Sequence, residues 1–140
     1  MEKIINRCFA CSKINPIGLK LDFSFHNDEA RTKWIPKEEY QGWPGVLHGG
    51  ITATILDEVM AYAIVHKGIM AATVEMSVKY CKKIPIGKEI LARAWIEKGT
   101  KKVFYVNAEI QNKDKEILAE GSGKYFKLRN DKYLNLTISK

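Results

Sequence analysis

A chain of 140 residues is the common size of one domain, and 46% hydrophobic with 28% charged residues is the balance of a folded protein, not a disordered one. No apolar run approaches the ~18 residues of a membrane-spanning helix, and Met1-Glu2-Lys3 opens onto no signal-peptide core, so one cytoplasmic domain over residues 1–140 with no membrane partner is expected. The net charge of +7 favours an anionic partner, and three cysteines cannot build a closed disulfide framework.

Cys8 and Cys11 come first, with the spacing of half a zinc site. No second pair and no His pair follows at ligand spacing, so neither a metal nor a cofactor is expected. Residues 18–26 then alternate, with Leu19, Leu21, Phe23 and Phe25 on one face and Lys20, Asp22, Ser24 and His26 on the other, which predicts a half-buried strand. Residues 30–35 are its expected partner. Pro36 and the segment Gln41-Gly42-Trp43-Pro44-Gly45 break the pattern and predict a loop.

From Gly49 to His66, apolar residues fall almost all round a helix that Gly68 ends, and such a helix needs cover on nearly every side. The rest of the chain supplies it as strands over 70–82, 89–97, 102–111 and 116–128, separated by turns at 85–87, 98–100 and 112–114. The result is an α+β domain, one long helix wrapped by five or six antiparallel strands. Gly121 and Gly123 in the last strand mark a bulge or a close approach by another group. His26 and His66 read as surface residues, and Trp34, Trp43 and Trp95 as core or pocket lining.

Two features of the helix carry chemistry. Gly49 and Gly50 open it; they either leave backbone N–H groups bare for an oxygen that gains negative charge, or simply allow close packing under the sheet. Asp57 stands mid-helix, where an unpaired charge costs several kcal/mol, so it is either capped and structural or a nucleophile or general base. Eight residues at about 1.5 Å each put Asp57 roughly 12 Å from Gly49, too far to share one carbonyl within a subunit. If both act on one substrate, the site spans two subunits.

The motif His48-Gly49-Gly50, with Asp57-Glu58 six residues on, resembles the hotdog-fold thioesterases of the phenylacetate-degradation and human thioesterase-superfamily type. The opening from Cys8-Phe9-Ala10-Cys11 to Gly18-Leu19 is similar to a subgroup of that family, and the likeness runs from about residue 8 to 128. It implies a homodimer, often a dimer of dimers, that hydrolyses acyl-CoA. In that pattern Gly49 polarises the thioester carbonyl beside His48 and Gly50, Asp57 of the opposite subunit attacks or activates water, and Thr73 positions the water or the carboxylate. Gly42 stands where some relatives carry an Asn that holds the thioester, and Gln41 is the expected substitute.

Lys79, Lys82 and Lys83 are the residues expected to receive the CoA phosphates, or else form a solvated face. A non-catalytic acyl-CoA-binding domain is the alternative. Nucleic acid is not an expected partner, because the basic residues are scattered and no recognition motif occurs. A dehydratase would need a His in the role that Asp57 fills.

Overall fold

The computed structural model describes residues 5–129. Its strands are β1 (Ser24–His26), β2 (Glu29–Trp34), β3 (Ala71–Tyr80), β4 (Ile90–Gly99), β5 (Val103–Gln111) and β6 (Ile117–Lys127), with one long helix, α1 (Gly49–Val65), between β2 and β3. All six strands form one antiparallel sheet in the order β1-β2-β4-β5-β6-β3. This is the α+β hotdog arrangement, and no helix among the described residues is long and apolar enough to cross a membrane.

Alternation decides the sheet's inner face. Ala30, Trp34, Ile90, Ala92, Ala94, Phe104, Val106, Ala108, Ile110, Ala119 and Tyr125 all point inward and are buried. The many alanines leave room for α1, whose Ile55, Leu56, Val59, Met60 and Ile64 are fully covered. Gly121 marks a close approach: a Cβ there would stand 3.4 Å from Leu56 and Met60, so helix and strand touch as the sequence suggested. The helix ends through Gly68, which takes a φ of 79° that few other residues accept.

The expected strand over 18–26 forms only at 24–26. Residues 18–23 instead make an amino-terminal strap across the helix face that the sheet leaves open. Its backbone bonds run to another part of the strap, from Leu19 N–H to Phe9 O at 2.9 Å and from Leu21 N–H to Ala10 O at 2.9 Å. Lys20 between them adopts a φ of 56°, which no ladder strand would hold. Leu19 and Leu21 are still buried, and the Phe23 ring stacks on Tyr62 of α1 at 3.8 Å. The period of two correctly marked Leu19, Leu21 and Phe23 as the covered side chains, but their cover is a helix, and Phe25, expected on the same face, is 39% exposed. The core of α1 is thus closed by sheet on one side and strap on the other, and Asp57 lies on the half-exposed stripe between them.

The sheet's two edges differ. β1 is three residues long, a length that offers little to a further strand, whereas β3 runs ten residues along the other edge with Val74 and Tyr80 more than half exposed.

Candidate active site

The start of α1 is organised by His48. Its backbone is extended, and its Nδ1 accepts the N–H of Gly50 at 2.8 Å. The N–H groups of Ile51 and Thr52 both reach the His48 carbonyl, at 3.0 and 3.1 Å. Of the four N–H groups that open the helix, that of Gly49 alone has no acceptor among the described residues. The glycine pair therefore supplies one free donor, with Gly50 committed to the cap. Tyr80 of β3 secures the neighbouring peptide by donating its hydroxyl to Gly49 O at 2.8 Å. Sequence reasoning had not assigned Tyr80.

Asp57 is buttressed. Its Oδ1 accepts from Thr73 Oγ1 at 2.7 Å and from the Tyr125 hydroxyl at 2.8 Å, leaving the half-exposed carboxylate with its second oxygen outside that pair of bonds. Burial, followed by the charge of Asp57, pushes the Tyr125 phenol well above its ordinary value, which keeps it a donor. Thr73 reaches this face through a bulge. Met76, Val78 and Tyr80 face the helix, so unbroken alternation would turn Thr73 outward with Ser77. The register slips between Thr73 and Glu75, and Thr73 then pairs directly with Tyr125 on the inner face.

Tyr125 carried no signal of its own in the sequence, but Gly123 did. A Cβ at Gly123 would lie 2.6 Å from Tyr125 Cε2, because the ring reclines across this position to bring its hydroxyl to Asp57. Gly123→Ala is expected to displace the ring, costing about 1–3 kcal/mol of stability and roughly tenfold or more in turnover. Thermal unfolding and initial rates of the purified variant check both; wild-type values would remove Gly123 from this role.

The remaining expected residues divide. Lys82 and Lys83 line, with Gly49, Trp43, Leu47 and Tyr80, a cleft of about 570 Å³ at the helix start. Lys82 is ion-paired to Glu116, whose carboxyl it draws below the usual range, while Lys83 has no ion pair among the described residues. Lys79 is not brought to them: it lies on the outer face of the sheet beside Ser77, Trp95 and Asn107. Gln41 uses its side-chain oxygen on the N–H of Gly45 at 3.0 Å, holding the loop that carries Trp43. Gly42 packs against the His48 ring, with a virtual Cβ 3.4 Å from its Cδ2. The tryptophans also separate. Trp34 is core, Trp43 is 83% exposed at the cleft mouth, and Trp95 sits under Arg93 on the outer face, outside core and cleft.

One helix against a curved antiparallel sheet defines a hotdog-fold protein. The family model described as "Thioesterase superfamily" matches residues 44–119, over half the chain, and the chain belongs to that family. Mouse acyl-coenzyme A thioesterase 13 is 32% identical over 88 residues, 61% of this chain and 63% of the mouse protein, so the match spans under two thirds of that relative. The structure of zebrafish thioesterase superfamily member 2 superposes with a TM-score of 0.71 at 25% identity, covering 76% of this chain and 80% of that one. A Streptococcus mutans protein solved with acetyl CoA shares the fold, with a TM-score of 0.74 at 18% identity over 88% of this chain and 97% of its own.

Proposed function

We propose that the protein is an acyl-CoA thioesterase, converting acyl-CoA and water to a free acid and CoA, in a homodimer whose sites each draw on both subunits. The observation that carries this reading is the pairing, on one helix, of a single free N–H at Gly49 with a buttressed carboxylate at Asp57. The thioester oxygen receives the Gly49 N–H as it gains negative charge at the positive end of α1. Asp57 of the other subunit takes a proton from the attacking water, or itself attacks to give an anhydride that water then opens; CoA leaves as the thiol. Thr73 and Tyr125 fix the carboxylate's angle, and His48 holds the cap that keeps Gly49 in place.

The two-subunit site has physical support from β3, a long edge strand with exposed apolar side chains, which single domains ordinarily blunt. Pairing of β3 with its counterpart would cover that edge and bring Asp57 toward the partner's cleft. A dimer of dimers and a cytoplasmic location belong to the same reading, as does the domain's extent over 1–140.

Thiol release from short, medium, long and aromatic acyl-CoAs tests the proposal. Hydrolysis of one class supports it and names the acyl group. Binding of acyl-CoA without thiol release would replace it with the non-catalytic binding domain. Within the cleft, Lys83 is the residue free to meet a CoA phosphate. Lys83→Ala is expected to raise KM about fivefold with kcat unchanged, the difference shrinking as salt screens the charge; an unchanged KM at low salt would assign the phosphates elsewhere.

A further inference from the structure

The amino-terminal strap brings three metal-ligating side chains together away from the Gly49 cleft. Cys8 and Cys11 flank a tight turn, and Glu58 of α1 points into it. Cys8 Sγ and Glu58 Oε1 lie 3.6 Å apart, and the three donor atoms are all within 4.8 Å of one another. A tetrahedral zinc ion, with Zn–S of about 2.3 Å and Zn–O of about 2.0–2.2 Å, sets sulfur and oxygen ligands about 3.5 Å apart and two sulfurs about 3.8 Å apart. The observed spacing needs only a small contraction to meet that geometry.

The turn is already built. The Ser12 N–H closes on Cys8 O at 3.0 Å, the Cys11 N–H points at Cys8 Sγ at 3.4 Å, and the buried Ser12 hydroxyl is bonded to Asn6 O at 2.8 Å. The strap bonds at Leu19 and Leu21 then hold the turn against α1. An N–H directed at sulfur favours the thiolate, the form that binds metal.

Charge balance points the same way. Glu58 takes part in no ion pair among the described residues, and its neighbours Cys8, Cys11 and Asp57 are themselves acids. The set offers three acidic donors and, among the described residues, no ion-paired cation. Cys11 is buried, while Cys8 is half exposed, which leaves a route for the ion and for a water in the fourth position.

We propose that Cys8, Cys11 and Glu58 bind a zinc(II) ion, which clamps the strap to α1 at the residue beside Asp57. The ion displaces the protons of the ligating thiols, which pass to solvent, and the Glu58 carboxylate supplies the oxygen donor. Spacing in the sequence showed only half of such a site, because the third donor comes from a helix 47 positions on from Cys11 and no periodicity connects them.

The test uses the full chain, reduced and stripped with a chelator, then titrated with cobalt(II). Saturation at one equivalent per chain is expected, with sulfur-to-cobalt charge-transfer absorption in the near ultraviolet and intense tetrahedral ligand-field bands in the red, both lost on adding zinc(II). Cys8→Ser and Cys11→Ser should each lose the charge-transfer bands, Glu58→Gln should lose saturation at one equivalent, and Cys81→Ser should keep the wild-type spectrum. No charge-transfer band from the wild type, with both thiols shown to be reduced, would overturn the proposal. A wild-type chain that forms a Cys8–Cys11 disulfide and, after its reduction, still gives no cobalt spectrum would overturn it in favour of a redox pair. These readouts do not depend on thioester hydrolysis, so loss of one reading leaves the other standing.

Discussion

Asp57→Asn is expected to reduce acyl-CoA hydrolysis by about 10²–10⁴-fold, the range for losing a positioned base or nucleophile, while the protein keeps its fold and its affinity for CoA. Asparagine preserves the volume, and its amide oxygen still accepts from Thr73 Oγ1 and the Tyr125 hydroxyl, the two bonds that hold Oδ1 in the wild type. What it loses is the charge. Asp57→Ala should be equally inactive and also less stable by about 1–2 kcal/mol, because the fully buried Tyr125 then keeps only its longer bond, 3.2 Å, to the backbone oxygen of residue 57. Thiol-release rates together with thermal unfolding separate the two variants. An asparagine variant that retains turnover within about threefold of wild type would remove Asp57 from the chemistry and leave it as a structural cap.

The Asp57 shell also shows where sequence is readable and where it is not. A charge inside an apolar helix stands out in any reading of residues 49–66, and the helix and last four strands fall within a few residues of their expected bounds. Thr73 was different. Alternation alone would send it to the outer face, and only the family resemblance singled it out; the bulge that turns it inward has no mark in the sequence beyond Val74 being one residue too many. Tyr125 looks like any aromatic in a strand, since what sets it apart is a hydroxyl placed opposite a residue 68 positions away. The glycine that makes room for its ring was visible, without the reason.

At the strap the pattern was right and the conclusion was not. Leu19 and Leu21 alternate because both face α1, yet their backbone bonds go to Phe9 and Ala10, so a strand signal arose without a ladder. The lysines show the converse limit. Lys79, Lys82 and Lys83 are close in sequence, but Lys79 is still within β3 and obeys its alternation, whereas Lys82 and Lys83 have left the strand and stand at the cleft's edge. Charge clustering along a chain says nothing about which face of a sheet each charge occupies.

Gly49→Pro is the sharper test of the other half of the site, with an expected loss of about 10²–10³ in kcat, the usual effect of deleting one oxyanion donor. Proline at the first helical position is well tolerated, and the preceding His48, at φ −61° and ψ 134°, already has the conformation that a following proline requires. A side-chain carbon at position 49 meets the Tyr80 ring at an ordinary 3.4 Å. The substitution therefore removes the one free N–H with little else disturbed, and Gly49→Ala, which keeps that N–H, should lose far less. Turnover by Gly49→Pro within a few-fold of wild type would show that the thioester oxygen is held elsewhere. Combining the two variants then asks which subunit supplies which group. In a dimer pairing an Asp57→Asn chain with a Gly49→Pro chain, a site shared between subunits leaves one of the two sites fully wild type, so a random mixture should recover about a quarter of wild-type activity. A site built within one subunit leaves every site defective and recovers nothing. Recovery would place Asp57 opposite its partner's Gly49, a pairing that the ~12 Å along α1 already requires of any substrate touching both.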